Sequence, residues 1–251
     1  MEKIRITSRK NEIIKKVAAL STAKGRSEQN AFFCEGLKLY KEGELAGIFP
    51  RMAFAADSFQ STHEIKADIL YSVTDEVYEK LSEQSSPEGL LCVYDKFELT
   101  TNKQSATLLL ENMQDPGNLG TILRSAAAFG ARQVIGVSSC DLFSPKTVRA
   151  SMGAVFKVPY KSFESLDGAL EYLGDTELLA AALTDDAVDF LDTDTSHSCI
   201  MIGNEGHGLS QKALEKSHKR IIIPISDIES LNAATASAIL LYDSYRKRTG
   251  K

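Results

Sequence analysis

Between Cys199 and Asn232 two short apolar runs each end in a polar loop, and each loop opens into a helix. The first run, Cys199-Ile200-Met201-Ile202, leads into Gly203-Asn204-Glu205-Gly206-His207-Gly208 and a short helix. The second, Arg220-Ile221-Ile222-Ile223-Pro224-Ile225, leads to Ser230-Leu231-Asn232 at the head of an alanine-rich helix. Apolar strands alternating with helices predict a parallel sheet covered on both faces. Open α/β sheets place ligands beyond the carboxyl ends of their strands. Gly203, Gly206 and Gly208 let the backbone approach a ligand closely. One glycine-rich loop alone reads as a tight turn; a second polar loop arriving from the next strand makes the pair a candidate site.

The alternation runs through the whole chain. Ile13, Ile14, Val17, Ala18 and Leu20 lie on one helical face over residues 11–20, and Lys24-Gly25-Arg26 through Asn30 reads as a polar break. Ala31-Phe32-Phe33-Cys34 and Leu90-Leu91-Cys92-Val93-Tyr94 read as strands, with a helix near 37–46, strands near 51–56 and 69–73, and a helix at 75–81. The polar, aperiodic run from Lys96 to Ser105 supplies a linker. The expected division is therefore a domain at 1–97, a linker at 98–105 and a second domain at 106–251. In the second domain Thr107 to Glu111 is a strand, and Asp115-Pro116-Gly117-Asn118 is a turn that places Asn118 as a helix cap. Leu119, Ile122, Leu123, Ala126 and Ala127 then share an apolar face, leaving Arg124 on the free side. Strands are expected at 133–137, 155–159 and 178–183, and helices at 145–152, 164–173 and 231–247.

Composition narrows the function. No apolar run approaches the roughly 20 residues of a membrane helix, and the N-terminal residues lack a signal-peptide core, so the chain is expected in the cytosol. Cys34, Cys92, Cys140 and Cys199 are scattered, and His63, His197, His207 and His218 have no metal-ligand spacing, so no metal is expected. The net charge is −5, yet Lys3, Arg5, Arg9, Lys10, Lys15, Lys16, Lys24 and Arg26 crowd the first 26 residues. Such a patch either contacts phosphates or is a solvated helix face.

The segment after the Thr107 strand does not match the glycine fingerprint of a dinucleotide enzyme, and a phosphate-binding Gly-x-x-x-x-Gly-Lys-Ser/Thr is missing. His207 alone in its loop reads as incidental. Ser230 reads as a helix cap rather than a nucleophile, because no histidine–carboxylate pair can be assigned to it. The remaining polar set at the expected carboxyl edge is Asn118, Arg124, Asn204, Glu205, Ser230 and Asn232. It suits a neutral or cationic small molecule held by backbone groups, with an arginine facing an anionic partner.

Asp115-Pro116-Gly117-Asn118-Leu119-Gly120-Thr121-Ile122-Leu123-Arg124, Ile202-Gly203-Asn204-Glu205-Gly206, and Ile223-Pro224-Ile225 leading to Glu229-Ser230-Leu231-Asn232-Ala233 resemble the three motifs of the SpoU/TrmH family of SPOUT RNA methyltransferases, in order and separation. Ile6-Thr7-Ser8-Arg9-Lys10-Asn11, Phe33-Cys34-Glu35-Gly36 and Glu88-Gly89-Leu90-Leu91-Cys92-Val93 resemble that family's substrate-binding extension. The resemblance implies an α/β fold: a C-terminal parallel-sheet domain with a trefoil knot, and a smaller N-terminal α/β domain like ribosomal-protein-type RNA-binding domains. It implies S-adenosylmethionine as cofactor, a homodimer, and methylation of a ribose 2′-hydroxyl, in ribosomal RNA by preference. Transfer RNA as substrate, a base-methylating relative, and an RNA-binding protein without activity are the alternatives. Arg124, Asn118, Glu205, Ser230 and Asn232 are then catalytic. Leu183, Thr184, Ile202, Gly203, Asn204, Gly206, Ile223, Ile225 and Leu231, with Ser230 and Asn232, hold the cofactor. RNA meets Arg9, Lys10, Lys15, Lys24, Arg26 and Arg124. One departure is Ser226-Asp227-Ile228, where the family often has a glycine.

Overall fold

The computed structural model of the chain describes residues 3–101, 103–204 and 206–251. Two compact units divide it: residues 1–97 with 143–156, and residues 98–142 with 157–251. In chain order the elements are β1 (Lys3–Ile6), α1 (Glu12–Ala18), α2 (Ala23–Gln29), β2 (Ala31–Glu35), α3 (Leu37–Leu45), β3 (Met52–Ala56), β4 (Ile69–Val73), α4 (Asp75–Glu79) and β5 (Leu90–Asp95). There follow β6 (Thr107–Glu111), α5 (Pro116–Phe129), β7 (Gln133–Val137), α6 (Pro145–Ser151), β8 (Tyr160–Phe163), α7 (Leu166–Leu173) and β9 (Leu178–Ala181). The last are β10 (Val188–Asp189), β11 (Cys199–Ile202), α8 (Gln211–Lys216), β12 (Lys219–Ile222) and α9 (Ala233–Thr249).

The first unit is built on a five-stranded mixed sheet in the order β1-β4-β3-β5-β2. β2 and β5 are antiparallel, with Phe33 opposite Val93 and Cys34 opposite Cys92. One core gathers Ile14, Val17, Leu20, Phe33, Phe54, Tyr71, Val77, Leu91 and Val93. The polar stretch 24–30, expected as a break, is helical in α2. The helix fits because Gly25 passes close to the preceding turn: a Cβ there would lie 2.0 Å from the Ala19 carbonyl oxygen. Residues 143–156 pack within this unit, Phe143 against Phe32 at 4.6 Å and Phe156 against Tyr94 at 5.2 Å between ring centroids. The strand expected at 155–159 is not formed. Ala154–Phe156 is a 3-10 turn, and β8 starts only at Tyr160.

The second unit holds a seven-stranded sheet, order β10-β12-β9-β11-β6-β7-β8, in which every pairing is parallel. Its inner strands β6, β7, β9 and β11 are mostly apolar and buried because both faces are covered. On one face Leu109, Ile135, Ala180, Cys199 and Met201 meet Leu166, Ala169 and Ala213 of α7 and α8. The side chains that alternate with them, Leu108, Leu110, Val134, Ile200 and Ile202, are also buried, as are Leu119, Ile122, Leu123, Leu240 and Leu241 of α5 and α9. Strand order reverses around β6: the chain proceeds to β7 and β8 on one side and returns through β9, β11 and β12 on the other. β11 and β12 flank β9, so three adjacent strands deliver their carboxyl ends to one place.

Candidate active site

The carboxyl ends of β9, β11 and β12 enclose a cavity of about 490 Å³, within the range that holds a cofactor-sized ligand. Leu183 and Thr184 enter it after β9; Ile202 at the end of β11, with Gly203, Asn204 and Gly206 after it; Ile223, Ile225, Ser230 and Leu231 after β12. The expected cofactor residues thus come together around one space, with Asn232 in the chain between two of its wall residues, Leu231 and Ala233. Glu205 lies outside the described residues. His207, read from sequence as incidental, is in the wall, and so is the Glu229 carboxylate. Among the described lining residues there is neither lysine nor arginine, and the strand ends contribute mostly isoleucine and leucine. This wall suits a ligand with flat apolar parts and a cationic centre.

The glycine loop folds back on itself. Gly208 N–H donates to the Asn204 carbonyl at 2.8 Å, Asn204 N–H donates to the Gly208 carbonyl at 3.2 Å, and Gly206 N–H donates to Asn204 Oδ1 at 2.8 Å. Gly203 is required by this fold, because a Cβ there would sit 2.0 Å from the Gly208 carbonyl carbon. The loop after β9 is fixed by Asp186, whose two oxygens each accept from Arg220 Nη1 at 2.9 Å. The Thr184 hydroxyl, then the Arg220 guanidinium, hold Asp186 below the usual carboxylate range. At the amino end of β11, burial pushes the Cys199 thiol up to about 12, so it is no nucleophile at neutral pH.

Two capping expectations are corrected. Helix α5 is capped by Asp115, whose Oδ1 accepts from Asn118 N–H at 2.8 Å; Pro116 takes the first helical position and Asn118 the third. Helix α9 is capped by Asn232, not Ser230: Asn232 Oδ1 accepts from Ala234 and Thr235 N–H. Both asparagine side chains are thereby brought together, Asn232 Nδ2 donating to Asn118 Oδ1 at 3.2 Å. This bond joins the first and third motif segments. Arg124 lies on the exposed side of α5 with no ion-pair partner among the described residues.

The expected RNA contacts divide. Arg9, Lys10, Lys15 and Lys24 are exposed, Lys15 in a surface pair with Glu12. Arg26 is corrected to a structural residue: it is 4% exposed, and its Nη1 donates to the Leu20 and Ser21 carbonyls at 2.9 and 2.8 Å. A guanidinium spent on backbone carbonyls inside the helix junction is not available to a phosphate.

Fold and site define a parallel α/β protein that binds a small ligand where three strand ends converge. The chain belongs to the SpoU rRNA Methylase family, whose profile matches residues 105–242; a second profile, the MRM3-like substrate binding domain, matches residues 11–92. An uncharacterised tRNA/rRNA methyltransferase of Synechocystis is 34% identical over 97% of this chain and 94% of its own length. The 23S rRNA (guanosine(2553)-2′-O)-methyltransferase RlmP of Bacillus subtilis is 30% identical over 94% of this chain and 97% of its own. Among solved structures, an AdoMet-bound rRNA methyltransferase from Sinorhizobium meliloti superposes with a TM-score of 0.85 at 26% identity, covering 97% of this chain and 98% of that one.

Proposed function

We propose that this chain transfers a methyl group from S-adenosylmethionine to a ribose 2′-hydroxyl of RNA, with ribosomal RNA preferred over transfer RNA. The observation that carries the reading is the single cavity formed by the ends of β9, β11 and β12, tied through the Asn118–Asn232 bond to the helix that bears Arg124. The named activities of the relatives support the same chemistry and substrate class. Leu183, Ile202, Ile223, Ile225 and Leu231 would pack against the adenosine part, and a wall with no lysine or arginine among its described residues accepts a sulfonium. Bound there, the cofactor supplies an electrophilic methyl group.

The chain's own task is to align the attacking oxygen and to stabilise the charge that develops on it. A ribose hydroxyl is a weak nucleophile, and loss of its proton leaves negative charge on the oxygen. A guanidinium is a fork of donors with no acceptor, so Arg124 acts as an electrostatic partner of that oxygen and of the adjoining phosphate, not as a base. Asn232 caps α9 and donates to Asn118, fixing the polar edge between cavity and arginine. Glu205 and Ser230 keep the supporting roles that the family resemblance gives them.

Arg9, Lys10, Lys15 and Lys24 give the first unit its phosphate contacts, and the match to a substrate-binding profile supports that division. The proposal extends to a trefoil knot, supported by the interleaving of β9, β11 and β12. It also includes a homodimer, supported by the family resemblance and by Tyr242, which is 54% exposed on α9. A cytosolic location is supported by four free thiols. Calorimetry tests the cofactor: S-adenosylmethionine should bind the wild type. Arg124→Ala should keep its Kd within about twofold while lowering methyl transfer by about 100-fold or more. Unchanged turnover would remove Arg124 from the mechanism.

A further inference from the structure

Glu111, the last residue of β6, is 5% exposed and has no task in the reaction described above. Its carboxylate accepts two hydrogen bonds from one residue: the Ser210 N–H at 2.7 Å and the Ser210 hydroxyl at 2.7 Å. Among the described residues no cation pairs with it. Ser210 stands where the glycine loop ends, and its hydroxyl oxygen also caps α8 by accepting from Ala213 N–H at 3.1 Å. The residue after Glu111 holds the other end of the same loop. Asn112, with φ 57°, accepts from Asn204 Nδ2 at 3.0 Å through its carbonyl oxygen. Two consecutive residues thus grip residues 204 and 210, and the loop between them supplies His207 and Gly208 to the cavity wall. The same segment runs on through Asp115 into α5.

We propose that Glu111 is a positioning residue for cofactor binding, its carboxylate locking the far end of the glycine loop in the shape that completes the cavity. The proposal rests on the S-adenosylmethionine reading of that cavity. An ionised carboxylate is acceptor-only and offers two oxygens, so it satisfies an N–H and an O–H from one residue at once. A loop rich in glycine and tied at one end alone samples many conformations, and the ligand would bear the cost of ordering it. The loss therefore falls on affinity and KM, with little effect on kcat.

Glu111→Ala removes both acceptors and should raise the Kd and KM for S-adenosylmethionine about tenfold, with kcat within about twofold of wild type. Glu111→Gln can keep both contacts, its oxygen accepting from the N–H and its amide donating to Ser210 Oγ, and should return Kd to within about threefold. Val134→Ala, at a buried β7 position outside the cavity wall, should lower Tm without moving Kd. Ser210→Ala removes one of the two bonds and gives an independent reading should Glu111→Ala fail to fold; its Kd should rise about threefold. A wild-type Kd in Glu111→Ala or Ser210→Ala, or an equal rise in Val134→Ala, overturns the role of Glu111 alone. A wild-type protein that binds no S-adenosylmethionine sinks the cofactor reading, and this proposal with it.

Discussion

Burial pushes the Glu35 carboxyl above its ordinary 4.5, while the Ser82 hydroxyl, the Glu83 N–H and the Arg149 charge pull it down by less. A carboxyl raised on folding favours the protonated fold. Its contribution to stability is full below about pH 4.5 and is lost as pH rises through the folded value. Glu35→Gln stays neutral, keeps an oxygen for the Glu83 N–H and offers an amide to Ser82. Its Tm should match the wild type near pH 4 and exceed it at pH 7. A difference that stays constant across that range would contradict the shift. Asp227 shows the other kind of residue-scale effect. Its φ is 64°, so a non-glycine residue adopts the left-handed conformation in the segment where the family often has a glycine. That conformation costs an L-residue about 1–2 kcal/mol, and aspartate and asparagine tolerate it best. The departure from the motif thus changes the residue without forbidding a glycine-like turn.

At the scale of elements, α5 matters most, because it carries both Asn118 and Arg124. Asp115→Ala removes its cap and should cost about 1 kcal/mol in chemical denaturation, whereas Asp115→Asn retains an acceptor and should be close to neutral. Equal losses in the two variants would mean that the cap is not what holds the helix start. The capping residue was not legible from the motif alone. Asn118 and Asp115 are both good caps, and only Pro116 at the first helical position decides between them. Strands β6, β7, β9 and β11 were legible because burial on both faces leaves an apolar run in the sequence, whereas the half-exposed β8 was placed too early at 155–159 and the two-residue β10 left no run to read. Helix α2 was not, since Lys24-Gly25-Arg26 is polar and contains a glycine. What makes it a helix is tertiary: the close pass over Ala19 and the Arg26 bonds to two carbonyls. The parts of the cavity wall after β11 and β12 were visible as two polar loops ending apolar runs, whereas Leu183 and Thr184 after β9 came only with the family resemblance. Glu111 was missed, although a charged residue closing an apolar run at a strand's carboxyl end was the available signal.

For the molecule as a whole, substrate grip and chemistry should separate experimentally. Deleting residues 1–97 would strip Phe143 and Phe156 of Phe32 and Tyr94, so substitution is the cleaner probe. Changing Lys10, Lys15 and Lys24 to alanine together should weaken RNA binding across sequences and reduce the salt slope by roughly two to three. Affinity for S-adenosylmethionine should not move. An unchanged salt slope would return those lysines to a solvated helix face. The central claim concerns which atom receives the methyl group, and alkaline hydrolysis reads that directly, because strand cleavage by alkali needs a free 2′-hydroxyl. Purified protein would be incubated with methyl-labelled S-adenosylmethionine and unmodified ribosomal RNA, and the product hydrolysed in alkali. The account predicts label in alkali-resistant dinucleotides, lost with Arg124→Ala. Label confined to mononucleotides, which would mark a methylated base, would contradict it.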